Sequence, residues 1–136
     1  MTRLYAATGD AIVSVVREDG GWRGATVLDE PGLQCLAVDP RRPERIVAGS
    51  RGRGVWMSED GGASWQDARL PQPDVFSVAV SPADGAVYAG CEPSMLFRLG
   101  DGGWEELAAL RELPSAPTWS FPPRPWTSHV RWIAPS

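Results

Sequence analysis

The 136-residue chain contains no lysine and no asparagine, only one histidine and only two cysteines. Without lysine, Schiff-base chemistry and the lysine of a phosphate-binding P-loop are both excluded. With one histidine and two cysteines, a zinc site of the usual ligand type is barely possible. We therefore expect neither a metal nor a cofactor.

Positive charge and long apolar runs are also scarce. Thirteen arginines stand against 17 acidic residues, a net charge of −4, whereas a nucleic-acid-binding face is basic. No run approaches the roughly 18 apolar residues of a membrane helix, and residues 1–10 lack the basic start and apolar stretch of a secretory signal. Cys35 and Cys91 lie in unrelated contexts, which favours free thiols in a reducing compartment. The expectation is a cytoplasmic protein with neither nucleic-acid nor membrane partners.

The sequence repeats. The triplet Asp-Gly-Gly recurs every 41 residues, at 19–21, 60–62 and 101–103, and a tryptophan follows each time, at positions 22, 65 and 104. A short β-type run precedes each triplet, at 4–7, 46–49 and 87–90. Units of about 40–45 residues with four short strands are typical of β-propeller blades.

These repeats predict an all-β chain, about three propeller blades of four antiparallel strands each. Residues 1–30 supply strands b, c and d of a first blade, residues 31–72 a second blade and residues 73–112 a third. In the second blade we expect strands at 33–38, 45–48, 54–58 and 64–69. The segment 128–134 should be strand a of a further blade, because residues 133–136 resemble residues 36–39. Twelve strands are half of a six-bladed ring, so the chain is expected to be a partial propeller, or one of two copies that close a ring as a homodimer.

Residues 58–65, Ser-Glu-Asp-Gly-Gly-Ala-Ser-Trp, have the form Ser-x-Asp-x-Gly-x-Ser-Trp. This motif resembles the Asp-box of the bacterial neuraminidase repeat (BNR) propellers, which include sialidases and sortilin-type proteins. In the two flanking repeats the motif is two residues shorter and lacks the serines. The resemblance implies a structural role for five residues: Ser58, Asp60, Gly62, Ser64 and Trp65. The aspartate can accept backbone N–H groups of its own turn, glycines permit positive φ there, and the tryptophan should fill the gap to the next blade.

The same resemblance raises the question of sialidase-like catalysis, which would need an arginine trio, a tyrosine nucleophile with a glutamate partner, and an acid/base. Tyr5 and Tyr88 share their repeat position with Val47, which indicates packing, and no carboxylate pair stands out. We favour a non-catalytic propeller that binds a protein, a carbohydrate or a carboxylate ligand. Two alternatives remain open: part of a glycoside hydrolase whose catalytic residues are largely missing, and an assembly factor resembling the photosystem II assembly propellers.

A proline- and tryptophan-rich insertion at 111–127 precedes the segment 128–134. Such loops lie on the face where propellers usually bind ligands, and an arginine beside aromatic rings suits a carboxylate or a sugar. Alternation along 128–134 predicts that His129 and Arg131 face a central channel while Val130 and Trp132 pack between blades. The candidate ligand-binding residues are Trp119, Arg124, Trp126, His129 and Arg131.

Other interpretations of this region stay open. The aromatic residues can simply hold the loop to neighbouring blades, Arg131 can pair with an acid, and the prolines at 114–117 and 122–125 have the spacing of a polyproline ligand. A separate run of five arginines between positions 41 and 53 is interpreted as solvated turns around strand b.

Overall fold

A computed structural model of the chain describes residues 2–136, and the fold is all-β. The strands form three antiparallel sheets, each a simple meander in chain order. The first sheet contains β1 (Arg3–Ala7), β2 (Ala11–Glu18) and β3 (Gly21–Asp29). The second contains β4 (Leu33–Val38), β5 (Ile46–Ser50), β6 (Gly54–Ser58) and β7 (Gln66–Asp67). The third contains β8 (Val75–Val80), β9 (Val87–Cys91), β10 (Met95–Gly100) and β11 (Gly103–Glu106).

Two 3-10 turns follow the last strand, at Ala108–Leu110 and Ala116–Thr118. None of the helical segments within residues 2–136 is long and apolar enough to cross a membrane.

The sheets correspond to the three predicted blades, so the all-β prediction is confirmed. In the second sheet, β4 and β6 have the predicted bounds, and β5 ends two residues later than expected. Strand β7 is much shorter than the predicted 64–69. Its start is delayed because the backbone N–H of Ser64 is still bonded to Asp60 in the preceding turn. Its end comes early because Asp67 accepts the N–H of Arg69 (2.8 Å), which has a φ of 58°.

The core lies between neighbouring sheets. The larger cluster joins the second and third sheets around Val47, Val55, Val75 and Val87, all fully buried. A smaller one joins the first and second around Ile12, Leu33 and Ala48. Close approach of the sheets requires glycine at position 49, because a Cβ there would collide with Cys35 and lie 2.7 Å from Val75.

Two of the tryptophans that follow the Asp-Gly-Gly turns, Trp65 and Trp104, contact earlier parts of the chain. Trp104 of the third sheet donates its indole N–H to the carbonyl of Ala68 (2.7 Å) in the second-sheet region. Trp65 packs on the smaller cluster, which the second sheet shares with the first. Trp65 therefore reaches the preceding blade, and the prediction that it fills the gap to the next one is wrong.

The predicted strand at 128–134 is not formed. This segment instead lies against the third sheet: the N–H of Val130 donates to the carbonyl of Cys91 (3.1 Å), and the hydroxyl of Ser77 donates to the carbonyl of Val130 (2.6 Å). A strand is defined by a hydrogen-bonded neighbour, and the described residues place no strand beside this segment. The prediction was wrong about its secondary structure.

Candidate ligand-binding site

Residues 58–65, the Asp-box-like motif, form a turn whose polar groups bond to one another. Asp60 Oδ1 accepts the backbone N–H of Ser64 and the hydroxyl of Ser58, both at 2.9 Å. Gly62 donates its N–H to Ser58 Oγ (2.8 Å) and has a φ of 92°. Hydrogen bonds from the Ser64 side chain and backbone, and then from Ser58, lower the pKa of Asp60. These contacts stabilise the turn and leave its carboxylate engaged within it.

The proline-rich loop folds over a small cavity. Between residues 121 and 126 the loop is closed by two backbone bonds, from Phe121 N–H to the carbonyl of Trp126 (3.3 Å) and from Trp126 N–H to that of Pro123 (3.1 Å). The cavity beneath has a volume of about 170 Å³. Besides Thr127 and the loop's prolines, the residues around it are Arg51, Phe76, Glu92, Phe121, Arg124 and His129.

His129 forms part of the wall of this cavity. Its ring stacks on Phe76, with centroids 4.0 Å apart and planes 22° apart, and Phe121 tilts against it at 4.6 Å. Only 7% of the side chain is exposed. Its Nδ1 lies 3.2 Å from Glu92 Oε2, although the geometry is not that of a hydrogen bond. The prediction that His129 faces solvent in a channel is wrong, because Phe121 of the loop covers the ring.

Arg131 lies on the outer side of Phe121, with its guanidinium carbon 4.9 Å from the ring centre. Within residues 2–136 no acid is close enough to form an ion pair with Arg131. Val130 packs against the third sheet beside Gly90, as expected of an inter-blade residue. Trp132 does not, since 84% of it is exposed. The prediction that Trp132 packs between blades is therefore wrong.

The two loop tryptophans are not part of the cavity wall. Trp119 is half-buried after the 3-10 turn at 116–118, and Trp126 is 47% exposed with a φ of 66°. Of the five candidate residues, the structure brings only Arg124 and His129 to the cavity. The turn at 116–118 also departs from the extended conformation of a polyproline ligand.

The sequence analysis did not predict three of the residues that line the cavity: Arg51, Phe76 and Glu92. The guanidinium carbon of Arg51 lies 5.7 Å from the ring centre of Phe76, and its Nη2 lies 3.9 Å from Glu92 Oε1. Arg51 and Glu92 are 41 residues apart and follow equivalent strands, β5 and β9. Neighbouring blades place equivalent positions side by side, so the repeat period itself could have paired them.

The arginines give this cavity its chemistry. Arg51 is 64% exposed and only loosely paired with Glu92, and Arg124 is exposed on the loop. Guanidinium groups favour carboxylates, to which they can donate two parallel hydrogen bonds. The stacked rings of Phe76 and His129 supply a flat wall. Residues 2–136 hold no cluster of three His, Cys, Asp or Glu side chains that could bind a metal ion.

No protein-family model matches the chain, and no curated protein shows significant similarity to it.

Proposed function

We propose that this protein is a non-catalytic binding module of the neuraminidase-repeat propeller type, and that its ligand carries a carboxylate. One observation supports the proposal above all: two exposed arginines, Arg51 and Arg124, border one cavity backed by stacked rings. Neither arginine is held in a close ion pair, so both can turn towards a ligand. No contact in the fold specifically favours a hydrolase or an assembly factor.

The size of the cavity limits what it can enclose. At about 170 Å³ it holds roughly five or six waters at ~30 Å³ each. Sites that enclose drug-sized ligands measure roughly 300–1,000 Å³. The cavity therefore accommodates the carboxylate end of an acidic sugar, while the rest of the ligand would extend over the loop and its exposed Trp126.

Glu92 is the acidic side chain that a ligand carboxylate would have to replace beside Arg51. Its carboxylate lies 3.9 Å from Arg51 and 3.2 Å from His129. A ligand carboxylate would form charge-assisted bonds of roughly 2.7–2.9 Å, shorter than the contact between Arg51 and Glu92. The incoming group can therefore displace Glu92 from Arg51 without breaking a strong native bond.

Isothermal titration calorimetry with glucuronate, acetate and neutral glucose tests this proposal. Both acids should bind and glucose should not. Arg51→Ala and Arg124→Ala should each weaken glucuronate binding at least tenfold, since a hydrogen bond to a charged group contributes about 1.5–3 kcal/mol.

Arg53→Ala is the matched control. Arg53 is 58% exposed and lies 3.7 Å from Glu30, outside the cavity, so its loss should leave binding unchanged. The proposal is refuted if neither acid binds saturably, or if Arg53→Ala weakens binding as much as the two cavity variants.

A further inference from the structure

Strand β1 has one edge without a partner. In the repeat, β1 is equivalent to β5 and β9. Strand β5 pairs with β4 and β6, and β9 pairs with β8 and β10, whereas among the strands of residues 2–136 β1 pairs with β2 alone. The difference is visible at equivalent side chains. Ile46 in β5 and Val87 in β9 are fully buried, but Leu4 in β1 is 54% exposed.

The backbone of β1 is ready to pair along this edge. The carbonyl of Thr2 accepts the N–H of Arg17 in β2 (3.0 Å). Because antiparallel bonds alternate along a strand, the N–H and C=O groups of Tyr5 and Ala7 point to the open edge. Beside this edge lies a cleft of about 640 Å³, whose opposite wall includes Leu36 and Val38 of β4. An unpaired edge therefore borders an apolar cleft.

The segment 128–136, which we call the tail, lies at an inner-strand position but has no strand paired beside it. A cleft of about 370 Å³ is lined by three short segments, 34–36 in β4, 76–78 in β8 and 131–133 in the tail. The three segments occupy equivalent positions in successive repeats, because Val130 lies over Gly90 in the same way that Val75 lies over Gly49. Val130 follows Val75 by 55 residues, the interval that also separates Ile133 from Val78. The tail thus continues the row of inner strands, but without a strand beside it.

We propose that a second copy of this chain supplies what each element lacks: the tail of one copy pairs with β1 of the other, and the reverse. The same contact then occurs twice, which is the isologous arrangement of a two-fold dimer. Two sets of three sheets would form a closed ring of six, within the range of known propellers. Closure removes two open sheet edges, which otherwise promote uncontrolled association.

The register of this pairing follows from the second sheet. There Leu36 faces Ala48, Ala37 faces Val47 and Val38 faces Ile46. By equivalence Ile133 should face the partner's Ala6, Ala134 its Tyr5, and Pro135 its Leu4.

A proline fits at the last position. Asp39 donates its N–H to the carbonyl of Arg45 (3.0 Å), so the N–H of the preceding Val38 points away from β5. Pro135, at the place of Val38, therefore gives up no hydrogen bond by lacking an N–H.

Light scattering of the unmodified chain gives the first test. We expect twice the chain mass of 14.7 kDa. Leu4→Glu should shift the protein to monomer, because it puts a charge opposite Pro135 at the new interface. Trp22→Glu is the control, since Trp22 is 53% exposed on another strand and its substitution should leave the dimer intact. A monomer at all concentrations for the unmodified chain, or equal dissociation by both variants, overturns the proposal.

Disulfide trapping tests the register. Ala6→Cys in one preparation and Ile133→Cys in another should form a covalent dimer only when mixed and oxidised. Burial raises the pKa of both native thiols, Cys35 and Cys91, to about 12, so they should not compete. Leu113→Cys, at a position 48% exposed, replaces Ile133→Cys as control. Absence of the mixed dimer, or equal trapping with the control, refutes the pairing.

Discussion

Trp65→Ala measures how much the tryptophan of the Asp-box-like motif contributes to the fold. The ring is half-buried against the cluster of Ile12, Leu33 and Ala48, and its Nε1–H donates to the carbonyl of Gly62 (3.1 Å). Deleting a fully buried large aromatic costs about 3–5 kcal/mol, so half burial corresponds to roughly 2 kcal/mol. The lost hydrogen bond adds about 1 kcal/mol. We expect the free energy of unfolding to fall by about 3 kcal/mol.

Urea unfolding followed by circular dichroism is the assay. With a slope of roughly 1–3 kcal/mol/M, the midpoint should fall by about 1–3 M. Trp22→Ala is the matched control, because Trp22 follows the equivalent turn of the first repeat but is 53% exposed. Its loss should cost less than about 1 kcal/mol, as exposed substitutions usually do. If the two variants unfold at the same urea concentration, Trp65 does not tie the second sheet to the first.

Two further predictions concern charged groups in the same sheets. Because hydrogen bonds from Ser64 and Ser58 lower the pKa of Asp60 in the folded state, its stabilising effect is complete above the unfolded pKa of about 3.9 and is lost as pH falls through the folded pKa. The melting temperature of the wild type should therefore exceed that of Asp60→Asn at pH 7, and this difference should shrink below pH ~4; a constant difference would contradict the argument. Arg45, 16% exposed, lies 3.3 Å from Asp39 and donates to the carbonyl of Gly85 (2.7 Å), so Arg45→Ala should cost about 2–4 kcal/mol in urea unfolding by leaving the buried Asp39 carboxylate uncompensated. Arg53→Ala, which removes an exposed pair, should cost under ~1 kcal/mol, and equal losses for the two arginines would contradict a structural role for Arg45.

The repeat made most of the fold predictable. Each blade repeats short β-type runs and an Asp-Gly-Gly turn, and the second and third blades also share a proline after their first strand, Pro40 and Pro82. A strand that is ambiguous in one repeat can therefore be assigned from the equivalent segment of another. The bounds of β4 and β6 followed directly from this pattern. The bounds of β7 did not, because Asp60 and Asp67 use their carboxylates to bond nearby backbone N–H groups. Such local competition between side chain and strand is not visible in hydrophobic periodicity.

The cavity was harder to predict than the sheets. Arg124 lies within the loop and His129 follows it by two residues, so the pattern of charged and aromatic residues around the loop predicted both. Arg51 and Glu92 lie 41 residues apart, and Phe76 belongs to another strand; only the side-by-side packing of the second and third sheets brings them together. The exposure of His129 was misjudged for a related reason. Alternation along a strand predicts which face a residue occupies, but it cannot predict that Phe121 of a loop will cover that face.

The tail shows how position and secondary structure can be predictable to different degrees. The likeness of residues 133–136 to residues 36–39 predicts an inner position for the segment, and Val130 lies over Gly90 as Val75 lies over Gly49. It did not predict whether a strand forms there, because an isolated inner strand has no ladder of hydrogen bonds to define it. Side-chain pattern determines which surface the segment covers, through contacts with the preceding sheet alone. Strand formation depends additionally on a neighbour, and within residues 2–136 the one inner-edge vacancy equivalent to that neighbour is along β1 of the first sheet. This vacancy is the position at which we propose that the tail of a second copy pairs.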